Sequence, residues 1–215
     1  TLSYLSRFYP KKFKVIAITV DMHFDALGEG RTASDYSGIK TLCDTLGVEY
    51  YIENSDIAKI VFDIRKEENP CSLCAKLRRG ALNESAKRHG ANKVALGHHF
   101  DDAVQTFMLN LFYEGRVGCF SPVTYLDRTD ITVLRPLVYA PEKDIEYFAR
   151  HTELPVIKSS CPANKKTERE EMKKLLSEIE KDNKGLRHRI FGAMQRGHVS
   201  GFKESKIKNY DDENA

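Results

Sequence analysis

Apolar and polar positions along this chain follow two periods that take turns. The run "KVIAITV", Lys14 to Val20, is a short β-branched stretch of the kind a parallel sheet buries on both faces, and it stops at Asp21. Ile39, Leu42, Cys43 and Leu46 then recur at helical spacing up to Gly47, a stop signal. "VEYYI" predicts a second strand. In "NPCSLCAKLRRG", Asn69 to Gly80, another helix opens, with Leu73, Leu77, Ala81 and Ala86 as its apolar stripe and Gly90 as its end. "KVAL", Lys93 to Leu96, predicts a third strand, and "GHHFDD" leads into a helix with Val104, Phe107, Met108 and Leu111 on one face and Gly115 at its end. Asp101 and Asp102 sit in that helix's first turn, where carboxylates complement the helix dipole. "ITVLRPL" reads as a strand, "EKDIEYFARH" as a helix and "LPVIK" as a last short strand. Thr167 and Glu170 form a capping-box signature ahead of Met172, Leu175, Leu176 and Ile179. This alternation argues for an α/β fold, a parallel sheet covered by helices. At the very start, Leu2, Leu5 and Tyr9 share a helical face with no cap before them, which predicts that the sequence begins partway into an element.

Length and composition change the picture little. A chain of 215 residues accommodates one substantial core with an appendage, and 41% hydrophobic with 30% charged residues is an ordinary globular balance. No apolar run approaches the ~18 residues of a membrane span and no basic-then-apolar leader opens the chain, so a cytoplasmic location is expected. Five cysteines, an odd number, argue against a disulfide framework and move metal binding or catalysis forward. The net charge of +3 says nothing of partners, but its distribution does. From Lys184 to Lys208 there are seven Lys and Arg, among them Arg187, Arg189 and Arg196, against the single acid Glu204. Charge alone favours a solvated helix face there over a phosphate-contacting surface.

Three places could carry chemistry. Cys71 and Cys74 stand on a first helical turn, close enough to grip one metal or cluster. Cys161, after the last predicted strand, can return to the same sheet edge, where loops at the carboxyl ends of parallel strands gather. Cys43 reads as a small core residue, and Cys119 has no metal-like spacing. Three thiolates without a fourth fit a zinc site completed by histidine, a redox pair with a bystander, or an iron–sulfur cluster with one iron open; spacing leaves these alternatives standing. The second place is "VALGHHFDDAVQT", where a strand runs through Gly97 and His98 into Asp101 and Asp102; this suits a nucleotide with Mg²⁺, or else two aspartates that merely cap a helix. The third is Arg135 in "VLRPL", a residue type that usually serves as an ion-pair partner after a strand.

"PCSLCAKLRRGALNESAKRHGANKVALGHHFDDAVQTFMLNLFYEG", then "SPVTYLD", "LRPLVYAPEKDI" and "CPANKKTERE", resemble the tRNA 2-thiocytidine biosynthesis family of PP-loop (N-type) ATP pyrophosphatases, in that family's order, from Lys14 to about Met194. The resemblance implies a Rossmann-like α/β domain of the adenine nucleotide alpha hydrolase-like kind over 1–160, followed by a helical C-terminal extension over 161–215 that carries the third cysteine and a basic tRNA-facing tail. It implies an ATP-dependent tRNA sulfurtransferase: the C2 oxygen of an anticodon-loop cytidine is adenylated with Mg²⁺-ATP, pyrophosphate leaves, and sulfur replaces the oxygen as AMP departs. By likeness, Cys71, Cys74 and Cys161 hold a [4Fe-4S] cluster with one iron lacking a protein ligand, and Arg78, one turn beyond Cys74, offsets charge on the cluster or the adenylate. Val20 and Asp21 match the adenine-holding strand end, Gly97 and His98 approach the nucleotide together with Arg135, and Asp101 and Asp102 serve Mg²⁺ or catalysis. Arg187, Arg189 and Arg196 face tRNA. The expected partners are tRNA, a sulfur donor (sulfide or a cysteine desulfurase) and, optionally, a second copy of the chain, with no membrane.

Two departures stand out. The family's phosphate loop, SGGKDS, belongs just before Thr1 and is absent from this sequence, so the natural protein is expected to carry it. Gln105 stands where relatives commonly carry Glu. The rivals are a PP-loop 2-thiouridine synthetase, a noncatalytic zinc-bearing RNA-binding module and a thiol redox protein that would need Cys71 and Cys74 but not Cys161.

Overall fold

A computed structural model describes residues 1–28, 30–66, 69–163 and 167–203; Glu204, Lys206 and Lys208 of the basic tail lie outside the described residues. The chain divides into two compact units, Thr1–Val94 with Asp127–Ile131 and Phe148–Lys165, and Ala95–Leu126 with Thr132–Tyr147 and Lys166–Ala215.

In the first unit, α1 (Leu2–Phe8) precedes β1 (Ile16–Asp21), which pairs in parallel with β2 (Glu49–Asn54) from Ile16 opposite Glu49 to Asp21 opposite Asn54. The connection between them is α2 (Ser37–Leu46), which buries Cys43 and ends at Gly47 in the left-handed region that only glycine enters without strain. A short α3 (Ile57–Lys59) runs into a π-helical turn over Ile60–Arg65, and α4 (Pro70–Arg88) packs on β1 and β2. Ile57, Ala58, Val61 and Ala86 form the buried interior here. Every residue of β1 is half-buried instead of fully enclosed, because β1 and β2 form a two-stranded sheet among the described residues. The strand expected over "LPVIK" does not form: Leu154 to Lys158 make no ladder, Val156 is exposed, and Pro155, which has no N–H to give a ladder, lies against Gly38 instead.

The second unit is built on α5 (Phe100–Tyr113), α7 (Glu168–Asp182) and α8 (Leu186–Arg196), which pack on one another. Phe100, Ala103, Val104, Val138, Met172, Leu176, Phe191, Met194 and Phe202 make its core. A three-stranded sheet has the order β3 (Lys93–Ala95), β5 (Ile131–Leu134), β4 (Val123–Leu126), so β4 is an element that the hydrophobic pattern did not announce. α6 (Glu142–His151) follows, with its N-terminus tied to α5 through the Asp101 carboxylate, which accepts the Glu142 N–H at 2.7 Å. Thr167 caps α7 by accepting the Glu170 N–H at 3.3 Å. Among the described residues, no helix is long and apolar enough to cross a membrane.

Candidate functional site

The first unit holds Cys71, Cys74 and Cys161. Asn69 caps α4 by accepting the Ser72 N–H at 3.4 Å, and Pro70 occupies the first turn, where a missing N–H costs nothing. That start sets Cys71 in the open and Cys74, three residues on, half-buried. Burial pushes the Cys74 thiol up, Arg78 pulls it back, and the charges of Cys161 and then Cys71 push it up again. The third cysteine, 87 positions further along, is thus felt electrostatically by Cys74. Arg78 is exposed, on the same helix face one turn after Cys74. A fourth sulfur completes the group: the Cys74 Sγ stands 3.7 Å from the thioether of Met22, directly after β1. Nothing in the sequence pattern marked Met22, since a methionine beside a strand end is most often packing.

Val20 and Asp21 end β1 in the same unit. The Asp21 carboxylate accepts the His23 N–H at 2.9 Å, and its main-chain carbonyl accepts both the N–H (2.9 Å) and the hydroxyl (2.8 Å) of Ser55. His23 itself has a left-handed backbone, an uncommon conformation for a residue with a Cβ, so the chain turns sharply away from the strand end.

The second unit holds the other candidates. Gly97 is open, with nothing within 4 Å of where a Cβ would stand. The His98 ring lies 5.0 Å from that of Phe120, and the Arg135 guanidinium sits over the same ring, 4.9 Å from its centre; Arg135 also donates to the Ser121 carbonyl at 2.5 Å and to the Thr124 hydroxyl at 3.3 Å. His99 and Asp102 close a reciprocal cap on α5, the Asp102 carboxylate accepting the His99 N–H at 3.0 Å while His99 Nδ1 accepts the Asp102 N–H at 3.4 Å. Arg169, from the late "TERE" segment, reaches the Asp102 carboxylate at 3.2 Å and donates to the Thr106 hydroxyl at 3.0 Å and to buried Gln105 at 3.5 Å. Asp101 pairs with Arg187 at 3.5 Å. Arg187 is mostly buried and also pairs with Glu180 and donates to the Ser177 hydroxyl at 2.9 Å. Arg189 closes the α7–α8 turn, donating to the Lys184 carbonyl at 2.8 Å and to Asn183. Arg196 is exposed on the last turn of α8.

Both aspartates are therefore held by arginines of the C-terminal helices, and Arg169 is a member of this constellation that charge counting passed over. Its only signal was its place in a motif that ends a helix cap. Among the described residues no group of three or more His, Cys, Asp or Glu side chains can hold a metal ion. Three thiols of one unit, two of them felt electrostatically by Cys74, suit a polynuclear cluster, which takes one thiolate per iron corner. A single zinc ion needs every thiolate about 2.3 Å from one centre. By the chemistry of this donor set, the residues fit a [4Fe-4S] cluster.

A model of the PP-loop domain matches residues 1–179. The chain is 35% identical over 210 residues to the tRNA-cytidine(32) 2-sulfurtransferase of Teredinibacter turnerae, covering 97% of this chain and 67% of that protein. It is 35% identical over 211 residues to the enzyme of the same name from Azotobacter vinelandii, covering 97% and 74%. Among solved structures it is similar to the U34-tRNA thiolase NcsA from Methanococcus maripaludis with its [4Fe-4S] cluster, at a TM-score of 0.69 and 27% identity, covering 96% of this chain and 70% of the other.

Proposed function

Because the chain belongs to the PP-loop domain family, we propose that it works as an ATP-dependent tRNA-cytidine 2-sulfurtransferase. The observation that carries this reading is the gathering of Cys71, Cys74 and Cys161 within one unit, in a chain similar over nearly its whole length to enzymes named for cytidine 32. A carbonyl oxygen on a pyrimidine is a poor leaving group. Attack of that oxygen on the α-phosphate of ATP releases pyrophosphate and makes an adenylate; sulfide then adds at C2, the C–O bond breaks, and AMP carries the oxygen away.

Within that scheme the roles are assigned by residue. Val20 and Asp21 receive adenine, Gly97 and His98 approach the nucleotide with Arg135 near them, and Asp101 and Asp102 orient Mg²⁺ or the reacting groups while arginines hold them. Cys71, Cys74 and Cys161 hold a [4Fe-4S] cluster, and Arg78 balances negative charge beside it. When bound, such a cluster supplies an iron corner without a protein ligand, suited to carrying sulfide. Functionally, residues 1–160 form the nucleotide-activating part and 161–215 contribute the third thiolate and the tRNA-facing helices, with Arg189 and Arg196 toward RNA and Arg187 supporting them. Sulfide or a cysteine desulfurase supplies the sulfur, the chain can pair with a second copy, and the reaction belongs in the reducing cytoplasm, where thiols stay free.

A uridine-directed reaction is the second reading, favoured by the solved structure with its cluster but at the lower identity of 27%. Anaerobic reconstitution of the full-length protein with iron and sulfide, followed by nucleoside analysis of tRNA incubated with ATP, decides between them. The expected product is 2-thiocytidine; 2-thiouridine alone would move the assignment to the second reading. Cys71→Ala, Cys74→Ala and Cys161→Ala are each expected to lose bound iron and labile sulfide and to abolish thiolation, with the far-ultraviolet circular dichroism unchanged. Thiolation retained in any of the three overturns the cluster assignment.

A further inference from the structure

The second unit contains a groove of about 450 Å³, bordered by Ser121, Val123, Tyr139, Ser200 and Lys203. Its volume falls in the range of small-ligand sites. Tyr139 is its distinguishing wall. The ring packs edge-on against Phe191 at 5.7 Å and Phe202 at 6.4 Å, both buried, while about half of Tyr139 remains exposed. A ring braced in this way is a rigid platform, and stacking on it costs little side-chain entropy. Val123, on the exposed face of β4, adds an apolar edge, and Tyr125 follows two residues on along that face.

The polar rim has a matching character. The Ser200 oxygen accepts the Cys119 N–H at 2.9 Å, which leaves its own proton to donate. Lys203 is exposed, and its main chain is tied to α8 through its carbonyl, which accepts from the Gln195 side chain at 2.8 Å. Ser200 and Gly201 both have left-handed backbones, an arrangement that holds the Ser200 side chain at the groove edge. Among the described residues, no carboxylate borders the groove. A braced aromatic face, an apolar edge, hydroxyl groups and one ammonium are the contacts an unpaired nucleotide uses: a stacked base, a hydrogen-bonded edge and a neutralised phosphate.

We propose that this groove receives one unstacked nucleotide of the RNA substrate, its base on Tyr139 and its phosphate toward Lys203. The proposal rests on the reading of tRNA as substrate and adds a place where a single-stranded loop is told from a duplex. The probe is a fluorescein-labelled anticodon stem–loop, compared by anisotropy with the same stem closed as a duplex. Tyr139→Ala is expected to weaken stem–loop binding about ten-fold and duplex binding little, and Tyr139→Phe to stay within about two-fold of wild type. Val123→Glu, at an exposed strand position, is expected to weaken stem–loop binding comparably. Lys203→Gln is expected to lower the slope of log affinity against log salt by about 0.7 to 1. Wild-type stem–loop affinity in both Tyr139→Ala and Val123→Glu overturns the groove, as does equal loss for stem–loop and duplex. A wild-type protein that binds the stem–loop in this pattern but forms no thiolated nucleoside overturns the sulfurtransferase reading and leaves the groove standing.

Discussion

At the scale of single residues, the five cysteines divide by environment more than by spacing. Cys71 is exposed, Cys74 and Cys161 are half-buried, and Cys43 is buried on the apolar face of α2. Cys119 differs from all of them. Its thiol donates to the Ala103 carbonyl at 3.4 Å, and burial pushes its pKa from 9.0 up to about 11. A group raised in this way stabilises the fold fully below its unfolded value, and that contribution disappears as pH climbs through the folded one. The window is therefore between about pH 9 and pH 11. After discounting for partial exposure, wild-type protein is expected to lose roughly 1–2 kcal/mol across it that Cys119→Ala does not lose. Urea unfolding of the two proteins at pH 8 and pH 10.5 measures the difference; parallel losses would show that the thiol ionises as freely in the fold as outside it. The same reasoning makes Cys119 a poor nucleophile near neutral pH, consistent with a packing role.

At the scale of elements, α5, α7 and α8 are joined by charge as well as by their core. Arg187 of α8 links Asp101 of α5 to Glu180 of α7, with about 17% of its side chain exposed. Removing it strands two carboxylates that are themselves mostly covered, which costs far more than losing a surface pair. Arg187→Ala is expected to destabilise the protein by about 2–4 kcal/mol, whereas Arg196→Ala, at an exposed position, should stay within about 0.5 kcal/mol. Chemical unfolding of both variants checks this, and equal stabilities would refute the link. It follows that weaker tRNA binding by Arg187→Ala would report on the helices, and that Arg196→Ala is the cleaner probe of RNA contact. This difference was invisible in the sequence: the cations of that stretch look alike until the fold turns Arg187 inward. Helices were legible because periodicity and stop signals such as Gly47, Gly90 and Gly115 act locally. "LPVIK" failed as a strand because pairing needs a partner edge, which no local pattern encodes, and β4 was passed over for the same reason.

At the scale of the whole molecule, the candidate chemistry is distributed over two bodies. The thiols, Met22 and the end of β1 belong to the first; the aspartate pair, its arginines and the Tyr139 groove belong to the second. Motif order along the chain anticipated the chemistry but not this division, because Cys161 joins the first unit while Arg169, a few residues later, joins the second. Compact units unfold and respond to ligands semi-independently, so loss of a group held by one need not disturb a surface built by the other. RNA binding is therefore expected to survive removal of the cluster. Protein stripped of iron, and Cys74→Ala, should bind the anticodon stem–loop within about three-fold of the reconstituted protein while forming no thiolated nucleoside; that margin is below 1 kcal/mol. Anisotropy titrations under anaerobic conditions, paired with nucleoside analysis of the same samples, measure both quantities. A ten-fold or greater fall in affinity on stripping would mean that the thiol site orders the RNA-binding surface. Binding and sulfur transfer would then be coupled through the fold.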